Sequence, residues 1–305
     1  MTALKSNTKG ALLMMASMAS FTMNDAFMKG LSTVLPLSQA VFLRGIATTL
    51  ILLALAQAMG GLKLRLPKRD WKIILARNVT EVLMAYFFIS AIFNMPFANA
   101  TAIMQAIPLT ITLAGAIFLR EAVGMRRLSA ILVGFFGVLL IVRPGFEGFN
   151  SYSIYVVLAV VMVTIRDLLV RRLSAEVPTM TVAFMNAVSV MVAFGLASTQ
   201  AEWAPITTTE TWKLAGAAVM VVGGYIFAVA AMRSGEIAVV APFRYTALLW
   251  AIGLGFVFFG EWPDSLALLG GLVIVATGIY SFYRERQLAE AATTDNVVTG
   301  AVDKG

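Results

Sequence analysis

Long apolar stretches alternate with short polar or Pro/Gly-containing segments along almost the whole chain. A helix needs about 20 apolar residues to cross a hydrocarbon core about 30 Å thick. The pattern therefore predicts an all-α integral membrane protein with ten transmembrane helices joined by short loops. The predicted spans are 10–31, 36–59, 71–93, 96–119, 128–141, 152–170, 178–198, 212–231, 237–259 and 264–283.

Composition supports the membrane prediction. Of the 305 residues, 60% are hydrophobic and 13% are charged, whereas an ordinary soluble domain has about 45–50% apolar and about 25% charged residues. Cysteine and histidine are both absent from the sequence, which excludes zinc, haem and iron–sulfur sites. We therefore predict no metal and no cofactor.

The basic residues indicate orientation. The net charge is +7. Most lysines and arginines fall in loops on the side of the membrane that holds the N-terminus, so they indicate topology and not nucleic-acid binding. The positive-inside rule then places both termini in the cytoplasm, with the chain in a bacterial inner membrane. Residues 284–305 are mostly small and polar, and we predict a disordered cytoplasmic tail there.

The second half of the sequence repeats the first at an offset of about 140 residues. The matched positions are Asp25 with Asp167, Lys29 with Arg171, Pro36 with Pro178, Phe42 with Phe184, Trp71 with Trp212, Ala98 with Ala238 and Glu121 with Glu261. A unit of five helices is odd in number, so its second copy enters the membrane from the opposite side. We predict a 5+5 inverted repeat, 1–145 and 150–283, which is typical of transporters that work by alternating access.

Segments 91–145 and 230–280 share a small-residue helix with a mid-span proline, an Arg-Glu or Gly-Glu pair closing the fourth and ninth helices, and a glycine-spaced final helix. In these features the chain resembles the EamA domain of the drug/metabolite transporter superfamily. The resemblance implies ten helices, cytoplasmic termini, a central cavity lined mainly by the first four helices of each half, and transport driven by proton coupling or exchange. Members include exporters of amino acids and importers of riboflavin and S-adenosylmethionine, and the substrate stays open.

Several polar residues fall about 10–20 Å from the inner face when each helical residue is given a rise of about 1.5 Å. Charges at this depth are costly and are therefore candidates for function. Arg44 and Arg244 have no acid one turn away, and two guanidinium groups suit a carboxylate, a phosphate or a polarised carbonyl of a substrate. The candidate substrate-binding residues are Asn24, Arg44, Glu81, Gln105, Tyr225, Arg244 and Trp250.

Three pairs at i,i+4 spacing are candidates for coupling or gating: Asp25 with Lys29, Arg77 with Glu81, and Asp167 with Arg171. Glu81 is either one half of a structural ion pair with Arg77 or the carrier of a coupling proton. Arg44 paired with Glu81 across helices is the structural alternative to substrate binding.

These patterns predict secondary active transport of a small organic metabolite such as a riboflavin-like vitamin, an amino acid or an S-adenosylmethionine-type compound. The expected partners are that substrate, the lipid bilayer and protons as candidate coupling ion, with no nucleic acid. A passive channel is the main alternative. An intramembrane hydrolase using Asp25 and Asp167 is disfavoured, because the two aspartates are predicted at very different depths, and we expect no enzyme activity.

Overall fold

The computed structural model of the chain describes residues 2–120, 124–146, 149–174, 176–234 and 236–302, which form helices and short turns and contain no β-strand. Glu121, which the repeat matches to Glu261, lies outside the described residues. The helices are α1 (Thr2–Lys29), α2 (Leu37–Ala58), α3 (Lys68–Asn94), α4 (Phe97–Met104), α5 (Ile107–Phe118), α6 (Met125–Val142), α7 (Tyr152–Val170), α8 (Thr179–Ser198), α9 (Thr208–Ser234), α10 (Ile237–Val240), α11 (Thr246–Phe259) and α12 (Ser265–Val302).

The ten-span prediction is confirmed. Within the described ranges, nine helical segments are long and apolar enough to cross a membrane. Helix α1, which has 28 residues and a polar first turn, is the first span and brings the number to ten. The fourth span consists of α4 and α5, and the ninth consists of α10, a 3₁₀ turn (Ala241–Tyr245) and α11. We call the side where α1 begins the terminal face and the opposite side the Lys29 face.

Prolines mark the beginnings of four helices. Pro36, Pro67, Pro96 and Pro178 occupy the N-cap positions of α2, α3, α4 and α8. A helix start does not need the N–H that proline lacks, and the fixed φ of proline suits the entry into a helix. The proline pattern therefore sets where the loops give way to spans.

Helix packing follows the inverted repeat. The repeat relates α1 to α7, α2 to α8, α3 to α9 and α6 to α12, and the most extensive contacts are α1 with α9, α3 with α7, α2 with α8 and α6 with α12. The first two contacts exchange with each other under this relation, and the last two map onto themselves. The two halves thus interlock about a pseudo-twofold axis.

Helices α6 and α12 touch through their backbones. A Cβ atom on Gly137 would lie 2.8 Å from the Gly270 carbonyl oxygen, and one on Gly270 would lie 2.5 Å from the Gly137 carbonyl oxygen. Only glycine permits so close an approach at both positions, so this contact fixes the fifth and tenth spans against each other.

The end of the chain differs from the predicted disordered tail over 284–305. Helix α12 continues to Val302, and residues 303–305 lie outside the described part. The segment from Gln287 to Ala292 consists of Ala, Leu, Glu and Gln, which are good helix formers, so the span has no breaker at its end.

Candidate functional site

The fourth and ninth spans are both interrupted near their middles, as Pro108 and Pro242 predict. Pro108 lacks the N–H that would bond to the carbonyl of Met104, and α4 gives way to α5 there. Pro242 lies in the 3₁₀ turn that precedes α11. The Gln105 amide Nε2 donates to the Arg244 carbonyl oxygen at 3.3 Å, so the two interruptions meet. Interrupted helices at corresponding positions of inverted repeats indicate a binding site.

The first polar cluster lies on α1 and α2 and consists of Asn24, Asp25 and Arg44. Arg44 Nη1 donates to Asn24 Oδ1 at 3.2 Å, and Asn24 Nδ2 donates to Asp25 Oδ1 at 2.8 Å. The asparagine thus carries a chain of hydrogen bonds from the guanidinium to the carboxylate. Arg44 pairs with Asn24 in this cluster, and Glu81 has a different partner.

The second polar cluster joins α3 to α7 and consists of Arg77, Glu81, Arg166 and Asp167. Arg166 Nη1 bonds to Glu81 Oε2 at 3.1 Å, and Arg166 Nε bonds to Asp167 Oδ1 at 2.9 Å. The predicted Arg77–Glu81 ion pair is present at 4.0 Å, but two nitrogens of Arg77, Nε and Nη1, are buried without a hydrogen-bond partner. Glu81 is therefore shared unequally between two guanidinium groups.

The two clusters form one network. The Tyr225 hydroxyl interacts electrostatically with Arg44 and also with Glu81 and Arg166. Arg244 interacts in the same way with Asp167, and within the described ranges its guanidinium makes no hydrogen bond or ion pair. Arg44 and Arg244 lie within the spans and are only partly buried. An anionic group that reaches them finds guanidinium donors that the protein has not saturated.

The charges of this network do not cancel. Four arginines face three acidic residues, which leaves one excess positive charge: Arg44, Arg77, Arg166 and Arg244 with Asp25, Glu81 and Asp167. Burying ions costs several kcal/mol each unless pairing is good, and charges within a span are rare outside functional sites. An anionic or zwitterionic ligand would balance this excess.

The ion pair predicted between Asp25 and Lys29 is not formed. Lys29 Nζ instead pairs with Glu261 Oε1 at 2.9 Å and donates to the carbonyl oxygens of Met95 at 2.8 Å and Ile92 at 3.2 Å. Glu261 Oε2 accepts from the Phe97 N–H at 2.7 Å. Lys29 ends α1 and can reach helix ends that need donors, whereas Asp25, one turn earlier, faces Asn24. The pair ties α1, α3, α4 and α11 together at the Lys29 face.

The opposite face lacks matching contacts. On the Lys29 side, α4 packs against α11 and α1 against α3. Under the repeat, the α4–α11 contact corresponds to one between α5 and the first half of the ninth span, and the α1–α3 contact corresponds to one between α7 and α9. Within the described ranges, neither of these two pairs packs to a similar extent. The molecule is therefore closed at the Lys29 face and splayed at the terminal face.

Other sequence predictions lie apart from the network. Trp250 is exposed on α11 and, in the described chain, makes no ring contact with the clusters. Asp167 pairs with Arg166, while the gating role of Arg171, at the end of α7, stays a prediction. Asp25 and Asp167 have separate partners, so the structure gives no sign of a shared-proton carboxylate pair.

Sequence reasoning did not select Arg166, Asn186 or Glu261 as site residues. The repeat offset contained a signal for two of them, because Arg166 corresponds to Asn24 and Asn186 corresponds to Arg44. Both halves therefore carry an Arg and an Asn at the same two positions in exchanged order. The repeat matched Glu261 with Glu121 but did not identify Lys29 as its partner, because Lys29 lies on a different helix.

A separate apolar cavity of about 510 Å³ lies between the fourth and ninth spans and α12. Leu249 and Leu272, which line it, are also exposed on the outer surface. No charged residue lines this cavity, so it is distinct from the polar network.

Fold and network together define a multi-span membrane protein of two inverted five-helix repeats with a charged centre. The model of the EamA-like transporter family matches residues 8–143 and 150–283. The chain belongs to the EamA-like transporter family, and the resemblance inferred from sequence is confirmed.

Curated relatives match over most of the chain. A pseudopaline exporter of Pseudomonas aeruginosa is 30% identical and covers 88% of this chain and 94% of its own length. An S-adenosylmethionine uptake transporter of Rickettsia conorii is 25% identical over 93% of this chain and 96% of its own. A riboflavin transporter of Vibrio cholerae is 28% identical over 60% of this chain and 61% of its own.

A solved crystal structure with 19% identity matches with a TM-score of 0.66 and covers 92% of this chain and 99% of its own. At this identity the likeness supports the fold alone.

Proposed function

We propose that the chain is a secondary active transporter that carries a small polar metabolite across a bacterial inner membrane by alternating access. The proposal places both termini in the cytoplasm, as the positive-inside rule predicts, and the terminal face is then cytoplasmic and its splayed arrangement inward-facing. One observation carries the proposal: a charged network lies between two broken helices, in a bundle that is closed at one face and splayed at the other.

Arg44 and Arg244 are the proposed substrate contacts. Each guanidinium offers several N–H donors in a planar fork that matches a carboxylate or phosphate, and neither is saturated by protein partners in the described chain. Asn24, Gln105 and Tyr225 add neutral donors and acceptors near these two arginines. A small anionic or zwitterionic metabolite fits this set of groups.

The relatives narrow the compounds to be screened without fixing direction. They include an exporter and an uptake transporter, and the compounds they are named for are pseudopaline, S-adenosylmethionine and riboflavin. We propose compounds of this size and polarity, with amino acids and organic acids, as the screening panel. Stabilisation of the purified protein against heat identifies the compounds that bind.

Transport in proteoliposomes tests the function. The wild-type protein is expected to accumulate a stabilising compound against its gradient, whereas a channel would only equilibrate it. Arg44→Ala and Arg244→Ala should each lower the rate at least tenfold, because a charged hydrogen bond contributes about 1.5–3 kcal/mol. Arg126→Ala is the matched control, since Arg126 is exposed at the start of α6. Wild-type transport rates in both Arg44→Ala and Arg244→Ala would exclude these two arginines as substrate contacts.

Protons are the proposed coupling ion, with Glu81 as the candidate carrier. An imposed pH gradient should drive accumulation by the wild-type protein and should fail to drive it in Glu81→Gln. Unchanged gradient-driven uptake by Glu81→Gln would remove Glu81 from the coupling, and Glu202→Gln, an exposed loop position, is the control.

A further inference from the structure

We infer that the polar network contains two half-sites of the same chemistry, one in each repeat, and that together they bind a substrate with an amino-carboxylate group at each end. This inference rests on the proposed function and specifies its substrate class. The second half-site, at Arg166, is occupied in this state by the protein's own Glu81 carboxylate.

The half-sites are related by the repeat. In the first half, Asn24 and Asp25 lie on α1 and Arg44 on α2, and the corresponding residues in the second half are Arg166 and Asp167 on α7 and Asn186 on α8. Each half thus supplies one guanidinium, one amide and one carboxylate, with Arg and Asn exchanged between the two positions. A guanidinium next to an aspartate binds a carboxylate next to an ammonium group.

The half-sites differ in occupancy. Arg44 is bonded only to the neutral Asn24 among its side-chain neighbours in the described chain. Arg166 is bonded to Glu81, which comes from α3 and therefore from the other repeat. The repeat places Val222 where a second-half counterpart of Glu81 would lie. The carboxylate on Arg166 is thus an addition to one half, in the place where a ligand carboxylate would bind.

A second position for the displaced Glu81 already exists. Arg77 lies one helical turn before Glu81, and its Nη2 is 4.0 Å from Glu81 Oε2. Arg77 is 9% exposed and has two buried nitrogens without hydrogen-bond partners. The side-chain amide oxygen of Asn186, Oδ1, is also buried without a hydrogen-bond donor, and the Asn186 side chain lies beside Glu81. A ligand whose carboxylate takes Arg166 and whose ammonium group approaches Asp167 and Asn186 moves Glu81 onto Arg77.

A matched set of seven- and five-carbon probes tests the ligand class by calorimetry on the purified full-length protein. The set is diaminopimelate, with an amino-carboxylate group at both ends, 2-aminoheptanoate with one, pimelate with two carboxylates and no amine, and 1,5-diaminopentane with two amines. Lanthionine repeats the length of diaminopimelate with a sulfur at its centre, and cystathionine, one methylene longer, extends the double-ended series to another length. At least one double-ended probe should bind ten times more tightly than every other type. If no double-ended probe exceeds its single-ended counterpart, the inference is wrong.

Variants test the role of each half-site. Arg166→Gln should weaken the best double-ended probe about tenfold and change 2-aminoheptanoate less than threefold. Glu81→Gln should bind the double-ended probe several times more tightly, because it removes the competing carboxylate. The double variant Arg166→Gln/Glu81→Gln removes Glu81's charge together with that of its partner, and should show the same loss as Arg166→Gln. Weaker binding in Glu81→Gln overturns the displacement, because it would mean that Glu81 contacts the ligand.

The two proposals fail separately. Tight binding of a double-ended probe without accumulation in proteoliposomes would remove secondary transport and leave the half-sites. Accumulation of another compound, together with no preference for double-ended probes, would remove the half-sites and leave the transport function.

Discussion

The two faces of the molecule are built from equivalent segments but are packed differently. At the Lys29 face, α4 contacts α11 and α1 contacts α3, with Lys29 and Glu261 at the centre. At the terminal face, the equivalent elements pack far less within the described ranges. An inverted repeat supplies the same elements to both faces, so the difference lies in packing and not in architecture. Under the proposed alternating access, the contacts at the Lys29 face are the ones that must break for the other state to form.

The largest expected effect comes from removing Lys29. Lys29→Ala leaves the Glu261 carboxylate and two carbonyl oxygens without their donor, a loss of about 3 kcal/mol for a largely buried pair. The Lys29 face should then open. Ala91→Cys, a fully buried position next to Ile92, gives a single reporter because the natural sequence has no cysteine.

In this assay an impermeant maleimide added from the Lys29 side should label Ala91→Cys about 100 times faster in the Lys29→Ala background. Lys72→Ala, exposed near the start of α3, is the control. Equal labelling rates with and without Lys29 would show that the ion pair does not hold this face closed.

A variant at the contact between α6 and α12 sharpens the comparison, because it should lower the stability of the protein without opening the Lys29 face. Gly270→Ala places a Cβ against the Gly137 carbonyl oxygen, and such overpacking costs about 1–3 kcal/mol. The thermal unfolding midpoint of Gly270→Ala should fall, while the rate of maleimide labelling at Ala91→Cys stays unchanged in this background. Gly253→Ala, where a Cβ meets nothing within 4 Å, should not lower the midpoint, because alanine is the better helix former. Faster labelling in Gly270→Ala would mean that this contact also moves.

The smallest effect concerns Asp264, which begins α12 at the Lys29 face. Burial alone would raise the pKa of this carboxyl, but the Ala267 N–H and the Arg143 guanidinium outweigh it and hold the pKa below its ordinary value. A depressed folded-state pKa stabilises the protein above about pH 4 and loses that contribution as the pH falls further.

Asp264 is half-exposed, so Asp264→Asn should cost less than about 1 kcal/mol at pH 7. The variant should also flatten the acid limb of the stability curve, measured as thermal midpoint against pH. An unchanged acid limb would show that other carboxylates control acid unfolding.

The sequence predicted well those features that depend on neighbouring residues of the same helix. Apolar run length placed eight of the ten spans within about four residues at each end, and the prolines located both helix interruptions. The exceptions are α1, which begins earlier at Thr2, and α12, which continues to Val302. Cross-helix partners were not accessible in this way, because i,i+4 spacing only reports neighbours within one helix. For that reason Lys29 was assigned to Asp25 when its partner is Glu261, and Arg166 was overlooked although it holds Glu81. The substrate-binding assignments themselves stay predictions.

The hydrogen bond from Gln105 to the Arg244 carbonyl has a mechanical consequence. The two interrupted spans are most compliant where their regular backbone bonds are missing, and this bond connects those two joints. A change in bend at one joint therefore displaces the other. In a rocking protein, joints that are tied together oppose the simultaneous opening of both ends, which would let solutes leak through and dissipate the gradient that drives the cycle.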